Sequence, residues 1–259
     1  EKGAEVIGML KHLVGDIAYE RALNLYFERH DGEAATIEDW LKVFEDITGR
    51  DLSQFKRWYT QSGTPRLFVE EAYDKGTFTL TFTQSTLPTP DQADKDAQVI
   101  PINVGLLNDN GDEVIPTTLL EMTKGKQSFH FKDLTSRPTA SILRGFSAPV
   151  YLCQPMTDEK RSFLMVHDTD AFNRWEASNA LQMQSLLDMS TENAPCNPAL
   201  IEAMGAMIVD ETIDPAFRAL VMSPPGESEM ARALIAKDEK VDPNELYRAR
   251  QSFSDILAE

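Results

Sequence analysis

Two short stretches of this chain hold the residue types that bind metal ions. His30, Asp31 and Glu33 stand together, as do His167, Asp168 and Asp170. An imidazole nitrogen beside two carboxylates is a ligand set that zinc accepts. Both triplets nevertheless fit better as acidic, solvated helix ends with a histidine nearby: Gly32 is a residue that stops a helix and Thr169 one that starts the next. None of the four histidines is followed by glutamate, so an HExxH zinc motif is excluded. A Walker loop, a GxSxG elbow and a GxGxxG cradle are also missing. No catalytic, cofactor-binding or metal-ligating residue is therefore expected in these 259 residues, and no side chain stands out as a nucleophile or general base.

The elements that would position any chemistry fall into three zones. From Glu1 to about Ser62 the apolar period is helical. Val6, Ile7, Met9, Leu10, Leu13 and Val14 form one stripe; Leu23, Leu25, Tyr26 and Phe27 are expected inward on a second helix that stops at His30-Asp31-Gly32. Thr36 with Asp39 reads as a capping box for a third helix that buries Trp40, Leu41, Phe44 and Ile47 and ends at Gly49. A fourth helix is expected from Asp51 or Ser53, burying Leu52, Phe55, Trp58 and Tyr59, up to Gly63.

From Thr64 to Pro155 the period changes to two. Phe78, Leu80 and Phe82 alternate with Thr77, Thr79, Thr81 and Thr83, as in a strand with one buried and one wet face. Further strands are expected at 67–72, 100–107, 113–115, 117–120, 128–131, 141–146 and 150–153, with a hairpin turn at Asn110-Gly111 and a polar loop at 88–95. So many short strands predict a β-sandwich. From Met156 onward the helical period returns, with Asp214-Pro215 and Asp242-Pro243 as start signals. Successive helix pairs suggest an α-solenoid without a strict repeat. The fold class is multidomain α+β.

Composition narrows the partners. A net charge of -17 would be repelled by a phosphate backbone or an anionic membrane, so neither nucleic acid nor membrane is an expected partner. No apolar run approaches the roughly 20 residues of a membrane span. Cys153 and Cys196 are far apart and outside any CxxC pair, which suits reduced thiols in a cytoplasmic protein. Trp40, Trp58, Trp175 and the methionines Met165, Met183, Met189, Met204, Met207, Met222 and Met230 occupy apolar helical positions, where core packing explains them. The chain opens on Glu1 inside an amphipathic helix with neither initiator Met nor cap, and its last helix has no clear stop signal. It is therefore expected to be a piece of a longer protein.

Three segments carry a family resemblance. Residues 1–7 (Glu-Lys-Gly-Ala-Glu-Val-Ile), 25–36 and 55–65 resemble the end of the catalytic domain of the aminopeptidase N family, zinc metallopeptidases of the gluzincin group, closest to the bacterial alanyl aminopeptidase branch. The Trp-x-x-Gln-x-Gly-x-Pro ending is present as Trp58, Gln61, Gly63 and Pro65. Thr89-Pro90-Asp91-Gln92, Ile100-Pro101 and Phe146-Ser147-Ala148-Pro149-Val150 extend the resemblance through the sandwich, and Ile213-Asp214-Pro215-Ala216 and Glu229-Met230-Ala231 carry it into the helical tail.

The resemblance implies a zinc ion held in the full-length parent by an HExxH motif and a second glutamate, and a Gly-Ala-Met-Glu-Asn stretch for the substrate amine, all upstream of Glu1. The family's catalytic tyrosine would immediately precede Glu1. Gly205-Ala206-Met207 copies the first letters of the amine-binding stretch, but Ile208 and Val209 replace its Glu and Asn. Residues 1–63 are then expected to be the closing helices of a thermolysin-like catalytic domain, 64–155 the sandwich and 156–259 the front of the helical domain. The parent would act on peptides; the chain alone is expected to be inactive, to bind no zinc, and to self-associate through apolar faces. The alternative is a sandwich-plus-solenoid interaction module without enzymatic activity.

Overall fold

The computed structural model describes residues 2–258 and divides into two compact units. One contains the residues up to Asp109 together with Glu113–Pro155, the other Asn110–Asp112 together with the residues from Met156 onward. Helices come first along the chain, then seven strands, then further helices.

The first unit opens with α1 (Lys2–Val14), α2 (Asp16–His30), α3 (Ile37–Thr48) and α4 (Arg57–Thr60). α1 buries Val6, Met9, Leu10 and Leu13. Ile7 is 39% exposed because a helix turns about 100° per residue and places it away from that stripe. Phe27, 56% exposed, fails for the same reason, since its neighbour Tyr26 takes the inward position against Trp40 at 5.2 Å between ring centroids. α3 has the expected capping box: the Thr36 hydroxyl accepts from the Asp39 N–H, and the Asp39 carboxylate accepts from the Thr36 N–H at 2.9 Å. The Thr36 N–H, and the Thr36 hydroxyl donating to the same carboxylate at 2.8 Å, hold the Asp39 carboxyl below its ordinary pKa. Gly49 closes the helix at φ 69°, a left-handed position that favours glycine.

The fourth helix is shorter than the sequence suggests. Asp51 accepts the Ser53 N–H at 2.8 Å, a side-chain turn that competes with helix entry. Three successive N–H groups, from Arg57, Trp58 and Tyr59, then bond three residues back instead of four, so only Arg57–Thr60 is α-helical. Leu52, Phe55 and Trp58 are buried all the same.

Seven strands follow: β1 (Arg66–Asp74), β2 (Thr77–Ser85), β3 (Ile100–Leu107), β4 (Glu113–Met122), β5 (Lys126–Phe131), β6 (Thr139–Ile142) and β7 (Tyr151–Cys153). They form a four-stranded sheet in the order β5-β2-β1-β7 and a three-stranded sheet in the order β4-β3-β6. Phe78, Leu80 and Phe82 of β2 share one apolar core with Ile102, Val104 and Leu106 of β3. The two strands expected at 113–115 and 117–120 are a single β4. Pro116 between them is tolerated because β4 is an edge strand and a register shift opposite Val104–Leu106 removes the need for its missing N–H.

The strand expected at 141–146 also differs, ending at Ile142. Leu143, Gly145 and Phe146 adopt left-handed φ values of 62°, 63° and 53°, which turns the chain and leaves Arg144 only 2% exposed. Its guanidinium lies across β3, β4 and β6. Nε donates to Ser141 Oγ at 2.8 Å, Nη1 donates to Thr117 Oγ1 at 3.0 Å, and the same nitrogen pairs with the Glu113 carboxylate. Gly105 sits beneath it, where any Cβ would overlap the guanidinium.

The second unit is helical: α5 (Asp158–His167), α6 (Ala171–Thr191), α7 (Pro198–Val209), α8 (Pro215–Val221), α9 (Glu227–Ala236) and α10 (Pro243–Ala258). Asp214 caps α8 as the Asp-Pro signal predicts, accepting from the Ala216 and Phe217 N–H groups. The long α6 is the axis against which the others pack. Its buried Ser178 and Gln182 donate to the Val221 carbonyl at the end of α8, and Arg174 Nε donates to the Met165 carbonyl of α5. Helix-end carbonyls that would otherwise be buried without a donor are satisfied in this way.

Arg144→Ala should lower the unfolding free energy by about 3 kcal/mol, because it removes a fully buried side chain together with its hydrogen bonds to Ser141 and Thr117 and its pairing with the part-exposed Glu113. Urea denaturation measures this, and a loss below about 1 kcal/mol would mean the guanidinium is not holding the turn.

Candidate functional site

Many of the chain's long-range polar contacts converge on residues 54–65, which carry the Trp-x-x-Gln-x-Gly-x-Pro pattern. Trp58 enters the core on α4, and its indole Nε1 donates to the Val99 carbonyl at 2.7 Å. Gln61 makes a two-way contact with Asp96: its Nε2 donates to the Asp96 carbonyl at 3.1 Å and its Oε1 accepts the Asp96 N–H at 2.9 Å. Gly63 has φ 93°, and a Cβ there would stand 2.9 Å from Thr86 Cγ2, so both conformation and space favour glycine. Pro65 is buried, and its carbonyl accepts the Tyr151 N–H at 2.9 Å, which starts the pairing of β1 with β7.

The partners come mostly from the β2–β3 connection, which straps across these residues. Gln92 accepts the Ser62 N–H at 2.8 Å and donates to the Thr60 carbonyl at 2.8 Å. The Lys95 ammonium donates to Thr89 Oγ1 at 2.8 Å and to the Ser62 carbonyl at 3.1 Å. Arg57 bonds the Ala97 carbonyl and pairs with the Asp96 carboxylate at 3.3 Å, and Gln54 Nε2 reaches the Ala97 and Thr123 carbonyls. Arg50 Nη2, just past α3, donates to both carboxylate oxygens of Glu121 on β4 at 2.6 Å. From the other side Lys2 of α1 donates to the Gly63 carbonyl at 2.7 Å, and its partial burial lowers the ammonium pKa. Ser62 Oγ lies 3.1 Å from Lys95 Nζ, and the same ammonium also donates to the Ser62 carbonyl, Thr89 Oγ1 and Gln92 Oε1, so it acts as a cross-link. The chemistry of this clasp is attachment: it fastens α1 and α4 to the sandwich.

The residues that could be drawn as metal ligands make helix ends. Asp31 closes α2 with its N–H on the Phe27 carbonyl, and the His30 ring packs against Tyr26 at 5.4 Å. Asp168 closes α5 and its Oδ1 accepts the Asp170 N–H; Asp170 in turn caps α6 by accepting the Asn173 N–H at 2.9 Å. His167 packs on Phe163 at 4.8 Å. Among the described residues no group of three or more His, Cys, Asp and Glu could hold a metal ion, so the zinc that the resemblance implies finds no ligand set in them. Gly205-Ala206-Met207 lies inside α7 with Met207 buried. Cys153 and Cys196 are both free thiols, and no helix among the described residues is long and apolar enough to cross a membrane.

Of the clasp, sequence reasoning names Trp58, Gln61, Gly63 and Pro65, because they form a pattern. Gln92 enters the family resemblance as the end of Thr89-Pro90-Asp91-Gln92, Lys95 belongs to a loop legible only as polar, Asp96 lies just past it, and their partners lie some thirty residues away in sequence.

Comparison with known proteins accounts for the arrangement. Residues 1–59 match the Peptidase family M1 domain. Residues 63–155 match a domain of unknown function (DUF3458) with an Ig-like fold, and residues 158–259 a domain of unknown function (DUF3458_C) with ARM repeats. The three matches follow one another in that order along the chain. Along its whole length the chain is similar to curated aminopeptidases N. It is 41% identical over 263 residues to aminopeptidase N of Caulobacter vibrioides and 37% identical over 273 residues to that of Escherichia coli, covering all of this chain in both cases. A crystal structure of Legionella pneumophila aminopeptidase A in complex with aspartic acid superposes with a TM-score of 0.84 at 27% identity, covering 99% of this chain and 29% of that one. The chain spans only 30% and 31% of the length of the two aminopeptidases N.

Gly63→Ala should cost about 1–3 kcal/mol of stability, since a non-glycine residue must hold a left-handed φ and displace Thr86. Thr60→Ala, on the exposed side of α4, should stay within about 0.5 kcal/mol. Equal effects in urea denaturation would show that Gly63 is not constrained.

Proposed function

We propose that this chain is the non-catalytic part of a zinc-dependent aminopeptidase that releases N-terminal amino acids from peptides. Residues 1–63 are the closing helices of its catalytic domain, 64–155 its β-sandwich, and 156–259 the front of its helical C-terminal domain. The observation that carries the reading is homology to aminopeptidase N over every residue of the chain, at 37% to 41% identity. In the parent, zinc would polarise the scissile carbonyl and activate a water. Its ligands are assigned to the part of the parent outside this chain, because the described residues offer no ligand set.

In this reading the chain contributes position: the clasp on Gly63 holds α1 and α4 against a rigid sandwich. The parent is cytoplasmic, with zinc as its cofactor and peptides as its substrates; nucleic acid and membrane are not its partners. Cut from the parent, the chain self-associates through exposed apolar side chains such as Ile17 and Phe27 on α2 and Val209 on α7.

Metal-loaded, protease-free chain should release no product from an alanyl anilide above the buffer rate, whereas the full-length protein should hydrolyse it. Measurable hydrolysis by the chain alone would refute the assignment. Sedimentation of the same sample should show mass rising with concentration, and a monomer at all concentrations would remove self-association from the account.

A further inference from the structure

One asparagine in the chain is followed by glycine, and the fold sets an imidazole against that pair. Asn110-Gly111 is the tip of the connection from β3 to β4, where Asn110 is exposed and Gly111 adopts φ 88°. The tip belongs to the second compact unit, together with the helices that follow Met156. Within that unit Gly111 lies on His167, the last residue of α5. A Cβ built on the glycine would stand 2.5 Å from the ring Nδ1, 2.7 Å from Cγ and 2.8 Å from Cβ. The left-handed φ and the close approach of the ring both favour a residue without a Cβ.

The same absence has a chemical consequence. The side-chain amide carbon of asparagine is an electrophile within reach of the next backbone nitrogen, and after asparagine only glycine leaves that nitrogen unshielded by a side chain. Here an exposed histidine, its other neighbour being the Phe163 ring at 4.8 Å, presents Nδ1 to that glycine. We propose that Asn110-Gly111 is a self-modification site at which Asn110 becomes isoaspartate or aspartate, with His167 as the base. The Gly111 nitrogen gives its proton to the imidazole and bonds to Asn110 Cγ. The bond from Cγ to the side-chain nitrogen then breaks, and that nitrogen leaves with the proton as ammonia, closing a succinimide ring. Solvent water opens the ring at either carbonyl, which leaves a carboxylate where a neutral amide stood. The new charge falls between Asp109 and Asp112, and the isoaspartate product carries an extra methylene in the backbone of a turn seated on His167. Modification therefore unseats the tip. The inference is independent of the aminopeptidase reading.

The test incubates the full-length protein that contains these residues in neutral buffer and maps its peptides by mass spectrometry. Asn110 should change from amide to carboxylate mass about tenfold faster than the other asparagines of this chain, and the product should accept methyl groups from an isoaspartate-specific methyltransferase. His167→Gln keeps a polar side chain of similar size without the base. It should slow conversion in the folded protein by about tenfold and leave the rate in urea unchanged. Free imidazole should restore part of the rate lost in that variant, which a histidine that only shaped the turn would not allow. Conversion at Asn110 no faster than at the other asparagines would overturn the site. An unchanged rate in folded His167→Gln, or no recovery with imidazole, would overturn the role of the base.

Discussion

One apolar core controls the first unit. It runs without interruption from Val6, Met9 and Leu10 of α1, through Phe44 of α3 and Phe55 and Trp58 around α4, into Leu67, Phe78, Phe82, Ile102 and Val104 of the sandwich. Trp58 is the hinge of this continuity, because its ring packs in the core while its indole N–H binds the Val99 carbonyl at the entrance to β3. An indole so placed cannot move without uncovering apolar surface and breaking a buried hydrogen bond. The polar clasp of Gln61, Gln92, Lys95 and Arg57 closes the margin of that core, so burial supplies the adhesion and hydrogen bonds supply the register.

That continuity gives a physical meaning to the pattern that joins the M1-matched segment to the sandwich. Tryptophan plugs the core, glutamine reads the strap, glycine turns where Thr86 leaves no room, and proline hands its carbonyl to β7. Each is a contact with the sandwich and none is a reacting group. The acidic residues near histidines are likewise engaged in closing α2 and α5 and starting α6. A segment whose polar groups are spent on caps and clasps suits the supporting role proposed for it.

Much of the fold was legible because its causes are local. The alternation of Phe78, Leu80 and Phe82 with threonines reports a strand half in water, and Thr36 with Asp39 reports a helix start, since neighbours in sequence make those contacts. Features set by distant partners were not legible. Arg144 looks like an ordinary charged residue after a strand, yet it is buried because Ser141 of β6 and Glu113 and Thr117 of β4 meet it above a glycine. The left-handed turn around it has no glycine at Leu143 or Phe146 to announce it. Asp51 misled in the opposite sense: a good helix-starting residue made a local side-chain turn instead, and tertiary burial of Leu52 and Phe55 held the segment in place without a full helix.

The central claim, that α1 to α4 and the sandwich share one core and stand or fall together, is tested most directly by native-state hydrogen exchange along a urea series. Amides in the middle of α3 and those of β2 and β3 should converge on a single opening free energy as urea rises, because unfolding the helices uncovers the sandwich core. Retention of β2 and β3 protection under conditions where α3 exchanges freely would contradict the account and make the sandwich an independent domain.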